Sequence, residues 1–230
     1  MKKFTSIALS FLIISLLFTS CGTLFTKGGS DYRSGVSAYE KKEYVSSLRY
    51  LSSALSVNPE FVEAAQLYPM VFSEGTSYYK TQIANNAAKQ DRESADIVYR
   101  SYSNLQELHE IARSSGRSGM MIEDFTSELE QARLTSADLW FAYAQSLEAK
   151  GDRASLKQAV AAYETARGRN PNLLHLDETI ARLIEEATVT LAVAAYGTSD
   201  DSFASTVLSD VTKAFSGNRF VQVIQNVDFT

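Results

Sequence analysis

Ser34 to Phe61, SGVSAYEKKEYVSSLRYLSSALSVNPEF, is the stretch from which the rest of the chain can be read. Gly35 places a small residue on a first helical segment, and Lys41-Lys42 makes a polar turn. Tyr44, Ser47, Leu51 and Ala54 then recur three or four residues apart, so they form one stripe on a second helix. Pro59 stands where the next helix opens, a position at which its missing N–H costs nothing. The same design returns in Asp138 to Pro171, DLWFAYAQSLEAKGDRASLKQAVAAYETARGRNP. There Trp140, Ala144 and Leu147 mark a first helix, Gly151-Asp152 the turn, and Ala159, Tyr163 and Ala166 the second helix. Both copies end in Asn-Pro, and three extra residues within Arg153 to Gln158 either lengthen the second turn or start its second helix early.

Between the copies, Glu60 to Arg133 keeps helical periodicity without these landmarks. Pro69 removes a backbone donor and crowds the preceding turn, which predicts that the helix starting near Glu60 kinks or ends there. A second helix is expected over about Thr76 to Lys89. A third should run from about Arg92 to Ser114, with Ile97, Tyr102, Leu105, Leu108 and Ile111 as its apolar side, and another from Ile122 to Arg133. SSGRSG, Ser114 to Gly119, is the clearest loop in the body. Pro171 to Ala187 closes it, with Leu173, Leu176, Ile180, Leu183 and Ile184 inward. The expected fold is therefore mainly α, a helical body over residues 31–187 followed by a short βαβ unit over 188–230.

The two quoted segments resemble tetratricopeptide repeats, in which antiparallel helix pairs need small residues where backbones approach and large ones that fill the gap. The resemblance implies an array of about three to four stacked helical hairpins, at or just above the number such a stack needs. It also implies a concave groove lined by the first helix of each pair. Carried onto this chain, the groove face comprises Tyr32, Val36 and Tyr39 in the first copy and Phe141, Gln145 and Glu148 in the second. Aromatic side chains are favoured at recognition surfaces, which suits a protein-binding role for these residues. The alternative to the repeat is a helical bundle whose Ala and Tyr spacing imitates it, and the alternative for the six is that they are ordinary rim residues.

After Ala187 the period changes. Thr188 to Tyr196, TVTLAVAAY, lacks charge and is rich in β-branched and small residues, which predicts a central strand buried on both faces. Phe203 to Phe215 returns to helical spacing, with Ser202 as its cap and Gly217-Asn218 as its end. Phe220 to Val227 alternates and reads as a second strand, parallel to the first across a helical crossover, with one face to solvent. This strand, helix and Arg219-Phe220 lead-in resemble the opening βαβ of the domain shared by the TolB amino-terminal and curli-secretion-channel lipoprotein families. Two strands and a helix rarely hold a sheet alone, so this unit is expected to pack on the helices, to pair with another chain or to be part of a larger domain.

The first residues bear on location. MKKFTSIALSFLIISLLFTSC has a cationic start at Lys2 and Lys3, an apolar run from Ile7 to Phe18 too short for a mature membrane span, and small residues leading to Cys21. It resembles a bacterial lipoprotein signal, departing at Phe18, where Leu, Val or Ile is commoner. The resemblance implies cleavage of residues 1–20, lipid attachment to Cys21 and, with Gly22 in place of an Asp, the periplasmic face of the outer membrane. Three acyl chains at about 0.8 kcal/mol per buried methylene make such an anchor effectively permanent. The alternative is an ordinary secretory signal with an incidental cysteine. Thr23 to Ser30 contains a Gly pair without periodicity, so residues 21–30 read as a tether.

Without the two leader lysines, 20 basic residues face 27 acidic ones, a formal charge of −7. This balance excludes nucleic acid as an expected partner. Cys21 is the single cysteine, so its acylation leaves no thiol for a disulfide, metal site or nucleophile. His109 and His175 stand apart and read as surface helix residues, no serine lies in a nucleophile elbow, and no Gly-rich stretch has the Lys-Ser/Thr of a phosphate loop. Carboxylates at Glu123-Asp124, Glu128, Glu130, Glu185-Glu186 and Asp200-Asp201 read as solvated faces and a turn. No cofactor or metal is expected, and the chain reads as no enzyme. The function that follows is a membrane-tethered scaffold or adaptor binding another envelope protein. A ligand-binding accessory lipoprotein of a periplasmic transport system, and an envelope hydrolase with an unrecognised site, are the competing readings.

Replacing Cys21 by Ala should abolish lipid labelling and release any exported protein from the membrane fraction. Continued partitioning of Cys21→Ala into detergent would refute the lipoprotein reading.

Overall fold

The computed structural model describes residues 26–117, 119–193 and 201–225. Among them the chain is mainly helical: α1 Gly29–Glu40, α2 Tyr44–Val57, α3 Val62–Asn86, α4 Arg92–Ser114, α5 Thr126–Glu148, α6 Arg153–Arg169 and α7 Leu176–Ala187. There follow β1 Val189–Val193, α8 Asp201–Phe215 and β2 Val221–Gln225. The leader and Cys21 lie outside the described residues. No described helix is long and apolar enough to cross a membrane. The chain divides into two compact units, residues 1–132 and 133–230.

In the first unit α1 and α2 form the hairpin expected from their spacing, and the reason is backbone proximity. A Cβ on Gly35 would lie 3.0 Å from Leu51 Cγ and 3.4 Å from the Ser47 carbonyl oxygen. The Ser47 hydroxyl donates to the Gly35 carbonyl at 2.7 Å, so the buried serine is satisfied by the helix it touches. The fold starts earlier than the tether reading allows. Gly28 adopts φ +80°, and a Cβ there would meet the Ala54 carbonyl oxygen at 2.7 Å. Only glycine fits both demands, so Gly28, Gly29 and Ser30 belong to the folded body rather than to a tether.

Helix α3 corrects the expectation at Pro69. One helix runs from Val62 to Asn86 with Pro69 inside it, in place of two separate segments. Pro69 is exposed, and the Ala65 carbonyl loses its intrahelical donor there. The buried side of the same helix, Tyr68, Val71, Phe72, Gly75 and Tyr79, holds it in register through the proline. Helix α4 occupies the range expected, opened by Asp91, whose carboxylate accepts from the Ser94 N–H at 2.8 Å. Leu48, Leu51, Tyr68, Val71, Leu105 and Leu108, from α2, α3 and α4, are among the large side chains buried most deeply in this core. Burying each such leucine stabilises by about 1.5–3 kcal/mol.

Helix α5 is continuous from Thr126 to Glu148, which corrects the expectation of a helix ending at Arg133 and a fresh start near Asp138. Nothing between them breaks a helix, since neither Gly nor Pro occurs from Thr126 to Glu148. In the second unit α6 begins early, at Arg153, and Asp152 caps it by accepting the Ser155 N–H at 3.0 Å. Ala144, Leu147, Ala159, Val160, Tyr163 and Leu183 form its core with α7.

The strands pair in parallel, Val189 opposite Val221 through Val193 opposite Gln225. Three expectations fail here. Among the described residues β1 has β2 as its one neighbour and is not central, and Val189, Thr190 and Ala192 are exposed, so β1 is not covered on both faces. A two-stranded sheet has too little area for helices to cover both sides. Helix α8 starts at Asp201, so Ser202 lies within it and is not its cap. The Arg219-Phe220 pair docks this unit on α6. Arg219 forks onto the Glu164 carboxylate at 2.6 and 3.0 Å, and Phe220 packs on the core with the Lys157 ammonium 5.2 Å from its ring.

Gly75 offers a test of the close packing. A Cβ at this position would come 2.8 Å from Tyr44 Cβ and 3.1 Å from Leu108 Cδ2, so Gly75→Ala should destabilise by about 1–3 kcal/mol despite its better helix propensity. Gly168 is helical, and a Cβ added there would find nothing within 4 Å, so Gly168→Ala should be neutral or stabilising by up to about 1 kcal/mol. Urea unfolding of the two variants separates them.

Candidate protein-binding surface

Of the six residues placed on the groove face, three lie in each compact unit. Tyr32 is half-buried, its ring 5.0 Å from that of Phe61. Its hydroxyl pKa is raised by burial and then by the Glu63 carboxylate. Val36 is half-buried on the same helix. Tyr39 turns toward α3, where a hydrogen bond to the Glu74 carboxylate, more than burial, raises its pKa.

Tyr39 also opens a run of aromatic contacts. Its ring lies 6.2 Å from Tyr44, which is 5.4 Å from Tyr78 and 6.2 Å from Tyr79. Tyr78 and Tyr79 are themselves 5.3 Å apart, edge to face. Beside them an open cleft of about 350 Å³ is lined by Lys42, Glu43, Val45, Ser46, Tyr78, Tyr79 and Asn104. Lys42 projects from a turn in the left-handed conformation, φ 61°. Burial pushes the Tyr79 hydroxyl up to about 12, with Tyr78 adding to the effect, so it stays a neutral hydrogen-bonding group across the physiological range.

The sequence pattern points only to Tyr39 and Tyr44, at the border of this cleft. Tyr78, Lys42 and Asn104 escape it because they come from α3, the first turn and α4, which no local period connects. Tyr78 is partly exposed while its neighbour Tyr79 is buried, and no local signal in the sequence separates the two.

In the second unit Phe141 stands edge-on to Tyr163 at 5.5 Å, and Gln145 is exposed. Glu148 is bound within its own unit. The Tyr163 hydroxyl donates to one of its oxygens at 2.6 Å, and Arg182 of α7 reaches the other while also pairing with Glu186 at 2.7 Å. Burial works to raise the Glu148 carboxyl, but the Tyr163 hydroxyl and the Arg182 guanidinium outweigh it and hold its pKa below the ordinary value. The structure thus brings Phe141 and Glu148 together on Tyr163.

The histidines divide. His175 is exposed at the start of α7, whereas His109, expected on the surface, is 0% exposed in the first core. Among the described residues no group of three or more His, Cys, Asp or Glu could hold a metal. Glu123 pairs with Lys80 at 2.7 Å, and Asp124 accepts from the Thr126 N–H at 3.1 Å. These two carboxylates serve the fold. Comparison with protein-family models, curated proteins and solved structures yields no match for this chain.

The Glu148 arrangement predicts an acid dependence with a definite sign. Its folded pKa is depressed, so it contributes stability in full above its unfolded value near 4.3 and loses that contribution as pH falls toward the folded value. Tyr163→Phe should cost about 1 kcal/mol at pH 7 and flatten the stability loss below about pH 4.3. Urea melts of the full chain at the two pH values give both numbers.

Proposed function

We propose that this chain is a cell-envelope lipoprotein that binds another protein, as a scaffold or adaptor, through a face of its tetratricopeptide-like helical hairpins. Its attachment would be the lipid on Cys21, and its place the periplasmic face of the outer membrane. The observation that carries the reading is the open cleft at the end of the tyrosine run: the partly exposed Tyr78 ring lies there next to Lys42 and Asn104, backed by buried Tyr44 and Tyr79 and half-buried Tyr39. Rings with a polar tip combine large contact area with hydrogen bonding at little entropic cost, as recognition surfaces require. Gly35 against Leu51, and Ala144, Ala159 and Ala166 buried where α5 and α6 pair, match the small-residue positions of the repeat.

The mechanism is recognition without bond-making. An extended or helical segment of the partner would lay an anchor side chain into the cleft, with Lys42 and Asn104 fixing its orientation. Lipid attachment confines the search to a surface and raises the effective concentration of the two proteins. A small-ligand carrier is favoured by one feature of the same cleft, the combination of the Tyr78 ring with the Asn104 amide and the Lys42 ammonium.

Affinity capture from detergent-solubilised membranes, with the intact lipoprotein as bait and mass spectrometry as readout, tests the reading. Tyr78→Ala combined with Asn104→Ala should reduce recovery of the specific partner by about tenfold or more, as truncation at a recognition centre does, measured well below the variant's own thermal midpoint, which falls because the Tyr78 ring packs on Tyr44 and Tyr79. Equal recovery by the double variant would place the binding surface elsewhere.

A further inference from the structure

His109 is the one histidine in the first core, and both of its ring nitrogens are occupied. Nδ1 faces the backbone N–H of Glu123 at 2.9 Å, and Nε2 lies 3.2 Å from the Thr76 hydroxyl on α3. A backbone N–H can only donate, so Nδ1 must be the bare nitrogen and Nε2 must carry the proton. The ring is 0% exposed, tilted against Phe72 with centroids 4.7 Å apart and edge-on to Phe125 at 5.1 Å. Neutral imidazole fits this slot. Imidazolium does not, because a second N–H would point at the Glu123 N–H.

The segment that His109 holds, Met120 to Phe125, leads into α5 and covers the slot between α3 and α4. Met120 and Ile122 pack partly buried on the core, and Phe125 is buried between His109 and Tyr102. Further ties are the Gln106 side-chain oxygen accepting the Phe125 N–H at 2.7 Å, Arg113 donating to the Glu123 carbonyl at 3.2 Å, the Lys80 ammonium on the Glu123 carboxylate at 2.7 Å and 5.5 Å from the Phe125 ring, and a Gln106–Asp124 side-chain contact. Three charged groups face the imidazole: Glu123 from the segment, Lys80 from α3 and Arg113 from α4. The carboxylate favours the charged ring, and the two cations oppose it.

From this geometry we infer that His109 is an acid-sensitive latch, whose protonation releases Met120 to Phe125 from α4 and opens the Phe72–Tyr102 slot while the α1–α4 core stays folded. Thr76 and Gln106 have no titratable atoms, so the Glu123 N–H bond is the tie that a proton breaks directly. Burial depresses the folded pKa, with Lys80 and Arg113 acting in the same direction against Glu123. The sign follows: the latch is fully closed above the open-state value near 6.5 and weakens as pH falls from there toward the lower closed-state value.

Amide hydrogen exchange on the full chain, read as protection factors corrected for intrinsic rates, tests the latch. Protection at the Glu123 and Phe125 amides should fall about tenfold per pH unit below about pH 6.5, as one linked proton requires, while Leu51 in α2 stays protected. His109→Gln keeps an acceptor and a donor but cannot titrate, so its protection should be independent of pH whatever its absolute level. Glu123→Gln should retain the wild-type slope, which separates the imidazole from the nearby carboxylate. A wild-type slope of zero, an unchanged slope in His109→Gln, or a His109 ring titrating at or above 6.5 by NMR would overturn the assignment.

Discussion

Helix α2 is gripped on two sides by glycines of its neighbours, and the first unit depends on that contact. Gly35 of α1 lets Leu51 and the Ser47 backbone come within van der Waals distance, and Gly75 of α3 does the same for Tyr44 while admitting Leu108 of α4. Gly28 completes the set against Ala54. A close-packed interior tolerates no extra methylene at such points without moving a backbone or a buried side chain. Three absent methyl groups therefore set how closely the helices approach, and the leucines and tyrosines fill what space remains.

The second unit is tied by polar contacts as much as by packing. Tyr163 is buried with its hydroxyl on Glu148, whose other oxygen meets Arg182, so α5, α6 and α7 share one hydrogen-bonded carboxylate. Arg219 repeats the device toward Glu164 and brings the strand pair onto α6. These pairs are partly exposed and each contributes modestly, but they are directional, and direction is what a small-residue interface of alanines lacks. Hydrophobic burial supplies the stability, and the carboxylates choose the register.

The proposed function rests on surface groups of the first unit. The tyrosine run and its cleft draw on α2, α3, α4 and the turn after α1, and among the described residues no metal-holding cluster accompanies them. His109 sits apart from that cleft lining, within the core, and its neutral form is required by a backbone donor. The cleft beside Tyr78 and the buried His109 thus occupy different parts of the first unit's core.

The amino-acid sequence by itself determined the helical hairpins, because residues three and four apart report a buried stripe without reference to anything distant: Tyr44, Ser47, Leu51 and Ala54 are all buried, and α4 begins and ends where its period does. The caps at Asp91 and Asp152 are equally local, with partners three residues away, but the periodicity does not single them out, and Ser202, read as a cap, lies inside α8. The parallel pairing of two short strands across a helix was legible in the change of period. Only the tertiary structure decided that Pro69 is tolerated, because the buried stripe of Tyr68, Val71, Phe72, Gly75 and Tyr79 holds α3 continuous through it, and those contacts come from distant helices. Burial of His109 was likewise invisible, since Thr76 and Glu123, which satisfy it, are far along the chain. The exposed faces of β1 follow from how few neighbours the strand has, a property of the assembled sheet that no run of apolar residues encodes.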